Sequence, residues 1–329
     1  MRSHSYDFVP LDLARLIAPT FAFVALAAGI LHAATRLNWL PRPRPTLDVD
    51  RTIVINKIEA SGSRQEAEVL LMGDSSCLMD LSAVKLTSEI GRPVLNLGML
   101  SYLDLNAYAT LLQRFVAANP NQLKAVVLLL HPEALRRPAP EQYHSAVFDH
   151  FVAGKDHATK RNIAQWLGLE FFRTRVLCRA LPTPLPGAYG RRYGFSSDLQ
   201  TYLTRQRGSA VDPDPKAFQG NPEYRLTPQL EIQSRAFKSA VPAGVKLFVA
   251  ITPVPAGFAP PNYARQHRQM LEQWSNWLSA DAALVDLPPT LPDNLFTKTT
   301  HLNEAGAAEF TTLLARSLSA ITPGVPRNP

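Results

Sequence analysis

Short apolar segments alternate with longer amphipathic segments over most of the chain. Each short segment is bounded by turn residues, and continuous apolar runs of this length are typical of strands that are buried on both faces. We therefore predict strands at 68–72, 93–97, 125–130, 245–251 and 283–287.

The segments between these strands have the spacing of apolar residues that favours helices. Asp104 can cap the second of them, and Pro120 follows its end. Strands and helices that alternate in this way predict an α/β fold, with a parallel sheet between two layers of helices, and a ligand site at the carboxyl ends of the strands. The predicted helices are 78–89, 104–118, 265–279 and 303–319.

The region of about 135–227 interrupts this alternation and is rich in Pro, Arg, Tyr and Gly. We interpret it as a helical and irregular insertion between the third and fourth strands, with one helical stretch at 160–180. Its aromatic residues could cover the core, line a groove for an acceptor substrate, or contact a bilayer.

The N-terminal part suggests a membrane anchor. Residues 16–34 carry no charge and lie between Arg15 and Arg36; as a helix they would be about 28 Å long, close to the thickness of a bilayer core. We favour an uncleaved transmembrane helix at 16–35, with a cleaved signal peptide as the alternative.

The anchor divides the chain into an N-terminal tail (1–15), the anchor (16–35), a Pro- and Arg-rich extended linker (36–60), a domain with the insertion (61–320) and a C-terminal tail (321–329). More arginines follow the anchor than precede it, which would place the domain in the cytoplasm. A large following domain can override that bias.

Composition narrows the function classes. The 329 residues carry a net charge of +7, which suits an anionic partner, but no nucleic-acid-binding motif is present. With two cysteines the chain has neither a disulfide scaffold nor a cysteine metal site. His144, His150 and His157 lack the spacing of a helical metal site, so we expect no metal and no cofactor.

Two short motifs carry the candidate chemistry. "GDSS" ends the first predicted strand and presents Ser75, which is either a nucleophile or simply a turn or helix-cap serine. "TTHLNEAG" places His301 in a loop before a helix that Asn303 can cap. A serine nucleophile needs such a histidine as its base.

These motifs, with "NLG" between them, resemble the SGNH (GDSL-type) hydrolase superfamily over most of residues 66–320. The resemblance implies a three-layer, flavodoxin-like fold with Ser75 as nucleophile and His301 as base. The backbone N–H groups of Ser75 and Gly98 would form part of the oxyanion hole, while Asp74 and Asn96 would support the loops around it.

Two positions depart from the pattern of the superfamily. His131 stands near the place of an asparagine that usually donates to the oxyanion, and could substitute for it or be structural. Lys298 stands where an acid usually precedes the histidine. Asp293 is the nearest upstream acid, and a Ser–His dyad is the alternative.

The chain most resembles membrane-anchored members that acylate envelope polysaccharides or exopolysaccharides, such as alginate acetylation and D-alanyl transfer proteins. That resemblance implies an O-acyltransferase or esterase at the inner membrane, with its domain in the periplasm. Its partners would be an acyl donor, a glycan acceptor and a membrane-bound acyltransferase. The rival hypothesis is a non-catalytic binding or scaffold protein of a polysaccharide export complex.

Overall fold

The computed structural model describes residues 10–36, 49–137, 139–152, 196–212, 216–218 and 222–321. The chain forms two compact units, residues 1–46 with 158–183 and residues 47–157 with 184–329. The helix predicted at 160–180 and residues 322–329 of the predicted C-terminal tail lie outside the described residues.

In the first unit the described element is one helix, α1 (Pro10–Arg36), which includes the predicted anchor. Among the described residues, no helix is both long enough and apolar enough to cross a membrane.

The second unit is built on a five-stranded parallel sheet. Its strand order is β2-β1-β3-β4-β6. Strand β2 lies on one side of β1 and β3 lies on the other, so the strand order reverses between β1 and β3 while all the strands stay parallel. The strands are β1 (Val69–Gly73), β2 (Val94–Asn96), β3 (Ala125–Leu130), β4 (Lys246–Ile251) and β6 (Ala282–Ala283).

Small strand pairs complete the unit. Strand β5 (Val254–Pro255) pairs in parallel with β7 (Thr290–Leu291), and β8 (Phe296–Lys298) pairs antiparallel with β9 (His301–Leu302). The last pair forms the turn that carries His301.

Helices cover both faces of the sheet. Their bounds are α2 (Val49–Ser61), α3 (Ser75–Met79), α4 (Ala83–Ile90), α5 (Leu105–Ala118), α6 (Pro132–Leu135), α7 (Gln142–Val152), α8 (Ser196–Arg205), α9 (Pro228–Ala240), α10 (Tyr263–Leu278) and α11 (Glu304–Ile321).

The core lies on both sides of β3, as its uninterrupted apolar sequence predicts. Val126 and Leu128 pack into the cluster that contains side chains of α2, α5 and α10. Val127 and Leu129 pack into the cluster that contains side chains of α4 and α11. Alternate side chains of a strand point to opposite faces, so both faces must be covered. The predicted three-layer α/β arrangement is therefore confirmed.

Three boundaries differ from the predictions. The linker predicted over 36–60 cannot continue past residue 48, because Val49–Ser61 is a helix whose side chains Ile53 and Val54 are fully buried. The helix predicted at 78–89 is two helices, since Asp80 caps the end of α3 and Ser82 begins α4 by accepting the Lys85 N–H. The fifth strand is shorter than predicted.

Candidate active site

The site lies at the carboxyl end of β1, beside the point where the strand order reverses. Gly73 ends the strand with a φ of +155°, and a Cβ there would lie 1.7 Å from the carbonyl oxygen of Leu129. Only glycine tolerates this close approach of β1 to β3. The turn that follows delivers Ser75 as the first residue of α3.

Asp74 fixes the start of α3. One carboxylate oxygen accepts the backbone N–H of Ser76 at 3.1 Å and its hydroxyl at 2.6 Å, while the other accepts the His131 N–H at 3.0 Å. Burial raises the pKa of the Asp74 carboxyl, and these hydrogen bonds oppose the rise. Asp74 therefore ties the serine turn to the end of β3, which agrees with the supporting role predicted for it.

The predicted nucleophile and base lie in hydrogen-bond contact. His301 Nε2 is 2.9 Å from Ser75 Oγ, although the two residues are 226 positions apart in the sequence. Only 12% of the His301 side chain is exposed. His301 is the first residue of β9, directly after the turn that follows β8, and from there its imidazole faces the start of α3.

The acid partner of His301 is Asp212, which the sequence analysis did not identify. Asp212 Oδ2 is 2.5 Å from His301 Nδ1, and only 2% of the Asp212 side chain is exposed. The prediction of Asp293 for this role is wrong. That carboxylate accepts the Gly257 N–H at 2.8 Å, in a loop that it stabilises locally.

Lys298 interacts with this acid. Its Nζ lies 3.1 Å from Asp212 Oδ2, the same oxygen that faces His301. Lys298 stands where the resemblance described above predicts an acid, and it forms an ion pair with an acid from another segment of the chain. The ion pair favours the charged form of the carboxylate.

The predicted oxyanion donors divide into two cases. Ser75 is the first residue of α3, so its N–H has no partner within the helix. The Gly98 N–H, in contrast, donates to Asn96 Oδ1 at 2.7 Å and is therefore already used, so the prediction of Gly98 as an oxyanion donor is wrong.

Gly98 has a packing role instead. A Cβ at this position would lie 2.6 Å from the backbone nitrogen of Leu78 in α3. Asn96, the residue predicted to support this loop, also donates from Nδ2 to the Cys77 carbonyl at 2.7 Å. The "NLG" motif thus brings the end of β2 against the helix that carries the nucleophile.

His131 follows β3 and is buried beside the site, with 3% of its surface exposed. Its Nδ1 accepts the Glu133 N–H at 3.1 Å, which places the ring proton on Nε2. Burial, and the positive charge that His301 can carry, lower the pKa of His131 to about 3. Nε2 has no contact with solvent, and the lowered pKa keeps the ring neutral, which favours the structural alternative for His131.

Asp80 is a second buried acid close to the base. One oxygen accepts the Leu302 N–H at 2.8 Å, and the residue is fully buried. Burial raises the pKa of Asp80 well above its ordinary value, and the negative charges of Asp74 and Asp212 raise it further. Its contact is with the residue after His301, so it holds the turn in place.

The sequence contained one signal for the missed acid. Asp212 precedes a proline in "SAVDPDP", a combination that marks a turn, but it lies in the region interpreted as an insertion.

No metal-binding cluster of His, Cys, Asp or Glu is found among the described residues. Cys77 is a buried free thiol.

Comparisons with known proteins add little. No protein-family model matches the chain, and no curated protein matches it. One matching solved structure is that of a Streptococcus pneumonia protein that carries the name platelet activating factor. It is 12% identical, covers 90% of this chain and 98% of its own, and superposes with a TM-score of 0.39. A likeness this distant says nothing about the reaction, which only the geometry of the site can indicate.

Proposed function

We propose that this chain is a serine acyl-ester enzyme of the SGNH type, an O-acyltransferase or esterase that works through an acyl-Ser75 intermediate. The observation that carries the proposal is the continuous hydrogen-bonded series from Ser75 through His301 to Asp212. A carboxylate, an imidazole and a hydroxyl in this order form the arrangement that activates serine for acyl transfer.

The first half-reaction follows from the protonation states. Asp212 accepts the Nδ1 proton of His301, which leaves Nε2 free to accept the proton of the Ser75 hydroxyl. As the Ser75 oxygen attacks the ester carbonyl, that proton moves to Nε2 and negative charge develops on the carbonyl oxygen. His301 then gives the proton to the departing alcohol, and the acyl group remains on Ser75.

The second half-reaction repeats these steps with a new nucleophile. An acceptor hydroxyl, or water, gives its proton to His301 Nε2 and attacks the acyl-Ser75 carbonyl. Ser75 leaves with the proton from His301. The Ser75 N–H, at the start of α3, is the donor that we assign to the oxyanion in both halves.

Labelling by a fluorophosphonate tests the activated serine. We expect the full-length wild type to be labelled, and Ser75→Ala and His301→Ala to take no label. Ser76→Ala is the matched control, because the Ser76 hydroxyl is committed to Asp74 and we expect this variant to keep the label. An unlabelled but folded wild type would refute the activated serine and favour the non-catalytic scaffold.

The acceptor and the location remain proposals that the envelope-acylation resemblance and the net charge of +7 support. We propose a cell-envelope or secreted polysaccharide as acceptor, with acyl groups supplied by a membrane-bound acyltransferase. For location we propose the inner membrane, with the domain on the periplasmic side. Protease treatment of spheroplasts tests the location, because only a periplasmic domain is degraded while the inner membrane stays closed.

Transferase and esterase activity are separated by the fate of the acetyl group when p-nitrophenyl acetate is supplied with and without polysaccharide. Release of p-nitrophenol reports the first half-reaction, which both activities share. A transferase moves the acetyl group to the glycan, which mass spectrometry of the glycan detects. An esterase yields acetate alone, and the glycan mass stays unchanged.

A further inference from the structure

Lys57 is a fully buried lysine that the proposed reaction does not use. It lies on α2 with none of its surface exposed, and Ile53 and Ile58 of the same helix are also buried. Burial lowers the pKa of Lys57 to about 7. Lysine is rarely buried without a specific set of partners, because removing an ammonium group from water is costly.

The partners of Lys57 are two backbone carbonyls in different segments. Its Nζ donates to the Asn96 carbonyl at 3.0 Å, at the end of β2, and to the Gly208 carbonyl, just after α8. Lys57 thus joins the sheet to the segment that leads into Asp212.

That segment is fixed closely against the sheet. Gly208 has a φ of +90°, and a Cβ there would lie 2.1 Å from the Asn96 carbonyl oxygen. The Asn96 N–H donates to the Arg207 carbonyl at 2.9 Å, and the Ala210 N–H donates to the Leu78 carbonyl at 3.0 Å. Asp212 follows two residues later.

We propose that Lys57 is a positioning residue for the active site: by holding the carbonyl of Gly208, it sets the place from which Asp212 reaches His301. This inference rests on the proposed function, since it assigns a purpose to the same Asp212–His301 contact. That contact measures 2.5 Å, so a shift of the segment by about 1 Å would break it, and misplacements of that size cost about 100-fold in rate.

The role needs N–H donors and does not need the positive charge. A neutral amine still has two N–H groups, enough for the two carbonyls. We therefore expect positioning to persist on both sides of neutral pH, and the loss in Lys57→Met to be of similar size at pH 6 and pH 9.

A double-mutant cycle on the full-length chain tests the proposal through the rate of fluorophosphonate labelling. We expect Lys57→Met to slow labelling 10- to 100-fold by the same reasoning about misplacement. In an Asp212→Asn background we expect it to slow labelling less than about twofold, because the contact that it positions is already lost. An equal slowing in both backgrounds, or none in a folded Lys57→Met, would overturn the role.

Two further variants separate positioning from general stability. Val54→Ala removes a buried side chain of the same helix from the cluster that contains side chains of α5 and α10, and we expect it to lower the unfolding temperature while leaving the labelling rate of the folded protein intact. Ser209→Ala is the milder second test if Lys57→Met does not fold. It removes the hydroxyl that accepts the Ala83 N–H at 2.9 Å, and we expect the same dependence on Asp212.

Proton NMR gives a readout that does not depend on catalysis. The Nδ1 proton of His301, held against Asp212, should give a strongly downfield resonance in the wild type. We expect it to be lost in Asp212→Asn and weakened or lost in Lys57→Met. An unchanged resonance in Lys57→Met would refute positioning, even if the wild type takes no label and the proposed function fails.

Discussion

We predict that acid lowers the free energy of unfolding of this protein, because His131 is buried in its neutral form. In the unfolded chain the imidazole binds a proton near its ordinary pKa of 6.5, whereas in the folded chain burial lowers that pKa to about 3. Between these values the unfolded state binds more protons. The stabilising effect of neutral His131 is therefore complete above pH 6.5 and is lost as the pH falls.

The two pKa values give the size of the effect. At about 1.4 kcal/mol for each pKa unit, the limiting loss below both values is about 5 kcal/mol. At pH 5 the same linkage predicts that about 2 kcal/mol of the free energy of unfolding has been lost relative to pH 8. That is a substantial fraction of the stability of an ordinary domain.

His131→Asn isolates this contribution from other groups. An asparagine oxygen can accept the Glu133 N–H in place of Nδ1, and the side chain does not titrate. We expect the free energy of unfolding of the wild type, minus that of the variant, to fall by about 2 kcal/mol from pH 8 to pH 5.

Urea titrations of both proteins at pH 8, 7, 6 and 5 measure that difference. Buried acids such as Asp74, whose pKa is raised, act in the opposite direction, but they are present in both proteins and cancel. A difference that stays constant with pH would show that His131 becomes protonated in the folded state, and would refute the burial argument.

Three further predictions concern neighbouring residues. Asp212→Asn should lower the rate of fluorophosphonate labelling by about 10⁴-fold, the effect of replacing the triad carboxylate of a serine protease by an amide. Asp293→Asn should stay within about twofold, and equal rates for the two variants in a time course would exclude Asp212 as the acid. Asp80→Asn should become more stable relative to the wild type as the pH rises from 4 to 7, because an acid with a raised pKa disfavours folding once the same group is ionised in the unfolded chain. Unfolding curves of both proteins at pH 4 and pH 7 measure this difference, and a relative gain of the variant at pH 4 would contradict the prediction. Gly98→Ala should cost about 1–3 kcal/mol of unfolding free energy, since its Cβ would meet a backbone nitrogen of α3 at 2.6 Å. Gly29→Ala, with open space around it, should cost nothing. Similar losses for the two variants in chemical denaturation would refute the packing argument.

The sequence was informative where local pattern and chain order coincide. Ser75 follows a strand whose apolar run ends abruptly, and His301 precedes a helix with a clear start, so both could be placed at the same edge of a parallel sheet. The two side chains then meet because the carboxyl ends of the strands converge there.

Asp212 and the use of the Gly98 N–H could not be predicted for a physical reason. The segment that carries Asp212 has no strand-and-helix alternation to fix its place, and its position depends on hydrogen bonds to residues far away in sequence. The donor at Gly98 is taken by a side chain only two residues upstream, and sequence alone does not show where that side chain points.

The acid of this site and its histidine reach the serine from separate parts of the chain. The base lies in β9, near the C-terminal end of the domain, while the acid comes from the segment after α8. That segment contributes no strand to the parallel sheet. Exchanging this segment would therefore change two things at once: it would remove the acid that supports the base, and it would leave the buried Lys57 without the Gly208 carbonyl that it binds.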